Sequence, residues 1–328
     1  MPTPARAIAH ATPGQVTLHA TQVRDPGPGE ILIETSLTVV SPGTELRMLN
    51  IAGTSTPFVP GYAAVGRVVA VGPGAAIPVG SRVFHAGTRH ADGLRLAWGA
   101  HISHAVRSVE QCHLLPTGVA DEDAGLLALA CVSYHGLVLA RPRPAEPVAV
   151  IGLGPIGQLA ARLYMIAGCH VVATDRVPTR VELARAAGVN AVPAATSLQE
   201  TFAPHFPAGA QIVVDATGAP RVPNDALGLL HEHAWNTDEP SSARFLVQGS
   251  YPGDITFDYN LPFMREAQMF FPRNYTRADA RAVLALMQQQ KLVARDLVSR
   301  SFTPDQAAAA YAQLQQKDTP LLTVAFRW

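Results

Sequence analysis

Apolar residues follow two different patterns in this chain, and the change falls near residue 120. Before that point, short runs rich in β-branched residues are broken by Gly and Pro. ILIETSLTVV (31–40) follows the turn cluster Asp25-Pro26-Gly27-Pro28-Gly29. AAVGRVVAVG (63–72) closes on Gly72-Pro73-Gly74, and SRVF (81–84) follows Pro78-Val79-Gly80. Such punctuation predicts strands and a barrel-like β domain. Beyond residue 120, Asp121 or Asp123 is placed to cap a helix reaching about Leu139, and Arg141-Pro142-Arg143-Pro144 reads as a linker. From Val148 the pattern is strand and helix in turn. VAVIG (148–152), HVVATD (170–175), QIVVDATG (211–218) and ARFLVQGS (243–250) read as strands, and QLAARLYMIAG and TRVELARAAG as helices, the second ending at Gly188. Continuous apolar strands alternating with amphipathic helices predict a doubly wound α/β arrangement, a parallel sheet covered on both faces. The polar stretch 231–243 reads as a loop. A helix over 278–291, another from Thr303-Pro304-Asp305 through Leu314, and a closing strand in LLTVAFRW complete the chain.

Composition narrows the classes. The 328 residues carry 25 Lys+Arg against 25 Asp+Glu, a net charge of zero, so no basic face offers itself to nucleic acid or an anionic membrane. At 48% hydrophobic the chain can bury a full core. The longest apolar run, Gly125 to Ala140, is interrupted by Ser133, Tyr134 and His135 and is shorter than the ~18–20 residues of a bilayer span. No secretory h-region opens the chain, and a reduced, cytoplasmic protein is expected. Three cysteines, Cys112, Cys131 and Cys169, cannot make a disulfide framework or fill a four-cysteine zinc site.

Candidate chemistry begins at Gly152-Leu153-Gly154-Pro155-Ile156-Gly157, a GxGxxG turn that follows a strand and opens a helix. Gly152 makes the tight turn, Gly154 admits a pyrophosphate, and Gly157 packs helix on sheet. The helix start at Pro155 and Ile156 presents the positive end of its dipole to the phosphates. Asp175, 18 residues after Gly157 at the end of the next strand, is placed to accept the adenosine ribose hydroxyls and to repel a 2′-phosphate. NAD is therefore the expected cofactor. Arg176 is the reservation, since an arginine there can hold that phosphate, and Arg180 can reach the same ribose.

Four stretches together resemble the medium-chain dehydrogenase/reductase superfamily over nearly the whole chain. They are Pro42-Gly43-Thr44-Glu45, Pro60-Gly61-Tyr62-Ala63-Ala64-Val65-Gly66, the glycine turn with Asp175, and Val214-Asp215-Ala216-Thr217-Gly218. The resemblance implies a Rossmann dinucleotide-binding domain over 123–268 and a β-rich GroES-like catalytic domain over 1–122 and 269–328. Zinc alcohol dehydrogenases of this superfamily carry C-G-S/T-D where this chain has Pro42 to Glu45, and P-G-H-E where it has Pro60 to Ala63. Their third zinc ligand falls near Ala128. With Pro42, Tyr62 and Ala128 at the ligand positions, and no cysteine over 87–100 where the structural zinc lobe belongs, a zinc-free member is expected. Within the superfamily the bacteriochlorophyllide a dehydrogenase branch is the most similar, which implies NAD-linked oxidation of a secondary hydroxyethyl group to acetyl on a macrocycle. That branch carries V-P-G-Y-E-A-V-G where this chain has Val59 to Gly66, so Ala63 departs from its glutamate.

The resemblance also assigns roles. Thr44 stands at the superfamily's proton-relay position, and Tyr62 replaces a zinc-binding histidine. Both hydroxyls are candidate donors to the reacting oxygen, which without zinc needs hydrogen bonds aimed at it. Tyr62 equally reads as a core residue filling vacated space, and Thr44 as a turn residue. Glu45 is a structural carboxylate or a supporting base. His135 is a possible proton relay or a satisfied core histidine. Thr217 and Gly218, and the turn Gly249-Ser250-Tyr251, are expected along the cofactor. His85, His90, His101, His104 and His113 invite a metal reading, with His101 and His104 on one helix face. No carboxylate or thiolate joins them in a ligand pattern, so a solvated loop is expected and no metal. Trp235, Phe270, Phe271 and Tyr275 line an apolar pocket or are core.

The leading reading is a zinc-independent NAD-linked dehydrogenase acting on a small-molecule secondary alcohol as a homodimer. A zinc-free quinone or enoyl reductase, and a silent NAD-binding scaffold, are the alternatives. Asp175 weighs against the first of these and Thr44 against the second.

Overall fold

A computed structural model describes residues 1–50, 56–238, 240–316 and 319–328. The chain forms two compact units, Met1–Ala128 with Ala280–Trp328, and Leu129–Asp279. The second crossing falls later than residue 268 because Gln268–Phe270 is itself a strand of the parallel sheet.

The unit Leu129–Asp279 holds six parallel strands. In spatial order they are Asn190–Pro193, His170–Asp175, Pro147–Ile151, Ile212–Asp215, Arg244–Val247 and Gln268–Phe270. Strand order reverses beside Pro147–Ile151, so the doubly wound expectation holds. Alternate residues of one strand serve opposite cores. Val148, Val150, Ala173, Ile212 and Val214 meet Ala160, Ala161, Tyr164, Val181 and Ala184 from the helices Pro155–Ile166 and Pro178–Ala186. Ala149, Ile151, Val172 and Val213 meet Phe202, Phe206, Ala226 and Leu227 on the other face. Both faces are covered, which is why these strands show no alternation in sequence. The strands Asn190–Pro193 and Gln268–Phe270 escape the sequence pattern because each is a short edge strand.

The other unit is β-rich. Glu30–Val39 is central to a seven-stranded sheet, flanked by Ala64–Val71, His104–Ser108 and the C-terminal strand Thr323–Arg327. A four-stranded sheet begins with Thr3–His10 paired to Val16–Val23. These two strands were not expected, since the inward residues of the first include Ala5, Ala7 and Ala9, which carry little strand signal. The helix expected from Asp121 is broken at Leu126 into Asp121–Gly125 and Leu127–Ala140, and its N-cap is Ala120. Asp123 does other work. Its carboxylate accepts the N–H groups of Ala294 and Arg295 at 2.8 Å each and the Arg295 guanidinium at 2.7 Å. Among the described residues, no helix is long and apolar enough to cross a membrane.

Candidate active site

The Pro42-Gly43-Thr44-Glu45 stretch begins an eight-residue helix, Pro42–Leu49. Proline suits its first position, where the missing N–H would have had no helical partner. One turn on, Glu45 points inward and is fully buried. Its Oε1 accepts the Ser41 backbone N–H at 2.7 Å. Its Oε2 accepts the Tyr311 hydroxyl at 2.5 Å and lies 2.9 Å from His101 Nε2. Burial alone would raise the Glu45 pKa. The facing His101 and the three hydrogen bonds outweigh it, so the group is held below the usual carboxylate range. Glu45 is thus a buried anion whose two oxygens are both engaged.

His101 corrects an expectation. It lies in a loop, not on a helix face with His104, which begins the strand His104–Ser108. It is fully buried, as is His85, so this region is not a solvated loop throughout. His101 Nδ1 is 2.7 Å from Thr38 Oγ1, and that hydroxyl also accepts the Trp328 indole N–H at 3.2 Å. A methyl on Gly61 would stand 2.6 Å from the His101 ring, so the Pro60-Gly61-Tyr62 turn passes close over it. Sequence reasoning missed His101, Tyr311 and Thr38; only a buried acid at Glu45 in need of partners could have pointed to them. His10, edge-on to Tyr311 at 5.2 Å, is buried with neither ring nitrogen hydrogen-bonded among the described residues. Burial pushes its pKa down to about 4.

Tyr62 and Thr44 come together. The Tyr62 phenol is hydrogen-bonded to the Thr44 hydroxyl and lies 2.6 Å from Ser41 Oγ. Its ring meets Trp98 edge-on at 5.3 Å. Burial raises the phenol pKa, so at neutral pH it keeps its proton and is a donor. Ala128 is buried core. Among the described residues, no group of three His, Cys, Asp or Glu side chains is placed to hold a metal ion.

The second cluster belongs to the parallel-sheet unit. Gly152 has φ +86°, and a methyl on Gly157 would stand 1.7 Å from the Gly152 carbonyl oxygen, so neither position tolerates a side chain. A methyl on Gly154 would meet nothing within 4 Å. The 12-residue helix Pro155–Ile166 starts there with no side-chain cap. An uncapped helix start behind open space fits a pyrophosphate. Asp175 Oδ2 accepts the Leu153 N–H at 2.7 Å and Oδ1 the Val177 N–H at 2.9 Å, with the Arg180 guanidinium at 3.7 Å. Each oxygen keeps lone-pair capacity for a ribose hydroxyl. Arg176 is exposed. Thr217 donates its N–H and hydroxyl to Asp215 Oδ1 at 2.9 and 2.7 Å. Gly218 sits against Ser250, and Gly249 against Gly218 and Tyr251, which brings the two expected cofactor turns side by side. His135 Nδ1 is 3.0 Å from Asp279 Oδ2, so it is a paired histidine of this unit. Phe270 packs on the sheet core, whereas Phe271 is exposed. Trp235 lines a cavity of about 370 Å³ with Tyr259, Phe263 and Met264.

Comparison with known proteins agrees with this architecture. Residues 27–117 match the model of the alcohol dehydrogenase GroES-like domain, and residues 155–289 that of zinc-binding dehydrogenase. The 2-desacetyl-2-hydroxyethyl bacteriochlorophyllide A dehydrogenase of Cereibacter sphaeroides is 27% identical over 317 residues, 93% of each protein. A short chain alcohol dehydrogenase from Escherichia coli CFT073, complexed with NADH, superposes with a TM-score of 0.85 at 19% identity, covering 99% of this chain and 100% of the other. A Sinorhizobium meliloti 1021 dehydrogenase bound to NADP gives 0.84 at 17% identity, with 99% and 100% covered.

Proposed function

We propose that this chain, which belongs to the medium-chain dehydrogenase/reductase superfamily, interconverts a secondary alcohol and a ketone by hydride transfer with NAD and without zinc. The observation that carries the reading is the hydroxyl cluster. Tyr62, at a position where the superfamily's zinc enzymes carry a ligand, is hydrogen-bonded to Thr44 at the proton-relay position, and the phenol keeps its proton. A nicotinamide dinucleotide, when bound, accepts the hydride from the carbinol carbon or returns it to the carbonyl carbon.

The chain's own residues do the rest. Tyr62 and Thr44 donate hydrogen bonds to the substrate oxygen, which carries alkoxide charge as the C–H bond breaks. In the oxidative direction the hydroxyl proton leaves through these hydroxyls to solvent. Gly152 to Gly157 and the helix start at Pro155 and Ile156 hold the pyrophosphate. Asp175 and Arg180 hold the ribose, and Thr217, Gly218, Gly249, Ser250 and Tyr251 line the rest of the dinucleotide. The name of the Cereibacter relative supports a hydroxyethyl-to-acetyl oxidation on a large biosynthetic substrate. We place the enzyme in the cytoplasm as a homodimer joined along the edge strand Gln268–Phe270, next to exposed Phe271; its mass in solution checks this.

A cofactor-preference assay across a ketone panel tests the reading. NADH turnover should exceed NADPH turnover, and Asp175→Ala should narrow the gap. Thr44→Val should lower kcat far more than NADH affinity. A strong NADPH preference, unchanged by Asp175→Ala, favours the quinone or enoyl reductase instead.

A further inference from the structure

Ser41 occupies the N-cap of the helix Pro42–Leu49, in extended backbone at φ −98° and ψ 93°. A serine there ordinarily accepts a hydrogen bond from a first-turn N–H, which stabilises the helix. Ser197 does so in this chain, accepting the Glu200 N–H at 3.1 Å. Ser41 does not; its side chain makes no cap. Its hydroxyl is turned instead to the Tyr62 phenol, 2.6 Å away. The serine is held in this posture from behind. Glu45 Oε1 grips the Ser41 N–H, and Glu45 is itself fixed by His101 and Tyr311. The Ser41 carbonyl accepts the N–H groups of Thr44 and Glu45 at 3.1 and 2.8 Å, so the residue has little freedom to rotate.

We propose that Ser41 is a positioning residue of the reaction site. It donates its hydroxyl proton to the Tyr62 phenol oxygen and so leaves the phenol's own proton to be given to the substrate oxygen when substrate is bound. A phenol oxygen has one proton to give. If Ser41 were the acceptor, that proton would be spent inside the protein and the phenol could not donate to a developing alkoxide. Buried Ser41 has no hydroxyl acceptor other than Tyr62 among the described residues, which fits the donor role. A donor into the phenol also makes the phenol a stronger donor outward, since chained hydrogen bonds polarise one another.

The inference rests on the dehydrogenase reading, and a double-mutant cycle on the full-length protein separates the two. Ser41→Ala should lower kcat about tenfold, the scale of one hydrogen bond at a reacting oxygen, with KM and NADH affinity nearly unchanged. Ser41→Thr should recover most of that loss. Tyr62→Phe should lower kcat further, and adding Ser41→Ala to it should cost nothing more. Melting temperatures of the four variants report any loss of fold separately. Wild-type turnover with an undiminished kcat in Ser41→Ala, or full additivity with Tyr62→Phe, overturns the role of Ser41 alone. Absence of NAD(H)-linked turnover in the wild type overturns the dehydrogenase reading and this inference with it.

Discussion

The glycine turn and the hydroxyl cluster are built on opposite principles. The turn is local. Six consecutive residues and one acid 18 positions on form it, and its tolerance is set by backbone contact, as at Gly157. The cluster is assembled from a distance. Glu45 meets His101 across 56 residues and Tyr311 across 266, and Trp328 at the chain's end reaches Thr38 across 290. A local site can be recognised from spacing alone. A distant one shows only its first member, because each partner is an ordinary residue until the fold brings it to the carboxylate.

The contrast predicts different failures. The largest effect is expected at Glu45. Glu45→Ala removes the acceptor of three hydrogen bonds in a fully buried site, leaving the Ser41 N–H, the Tyr311 hydroxyl and the His101 ring unpaired. A loss on the order of 3–5 kcal/mol is expected in chemical denaturation, and Glu45→Gln should lose less because its single amide oxygen still accepts from two of the three donors, though its NH2 then faces the third. An equal loss in both variants would argue that charge matters more than hydrogen bonding.

Gly157→Ala should strike the other cluster. A methyl 1.7 Å from a carbonyl must part helix and turn, so NADH affinity should fall more than a hundredfold by fluorescence titration, about 2.7 kcal/mol. Because this site is local, kcat at saturating NADH should fall less than in Thr44→Val.

Acid should act mainly on the distant cluster. His10 has its pKa lowered by burial from 6.5 to about 4, so the folded protein binds fewer protons than the unfolded chain between those values. Its contribution is intact above pH 6.5 and is lost as pH falls towards about 4, at up to about 1.4 kcal/mol per pH unit. His85, fully buried with its pKa also about 4, acts with the same sign. His10→Leu should flatten this limb of the stability profile, read by thermal melts from pH 7 to 4.

Much of the fold was legible because the buried strands and the Gly/Pro punctuation speak for themselves. The strands at Thr3–His10 and Asn190–Pro193 were not, since alanine and short edges carry little pattern. At the proposed reaction site, Thr44, Tyr62 and Glu45 could be singled out because they stand in stretches that line up with the zinc enzymes' motifs. Ser41 was not, because a serine before a helix reads as a cap, and only the structure shows it turned to a phenol. His101 was misread as part of a solvated histidine group, since sequence does not reveal that a buried carboxylate 56 positions away faces it.

The central claim is that hydroxyls, not a metal, stabilise the reacting oxygen. It is tested most directly by NADH-linked ketone reduction before and after exhaustive chelation, with zinc measured in the same samples. The account predicts unchanged kcat at far less than one zinc per chain, and a kcat lowered at least tenfold by Tyr62→Phe under both conditions. Activity that disappears on chelation and returns with one equivalent of zinc would contradict it.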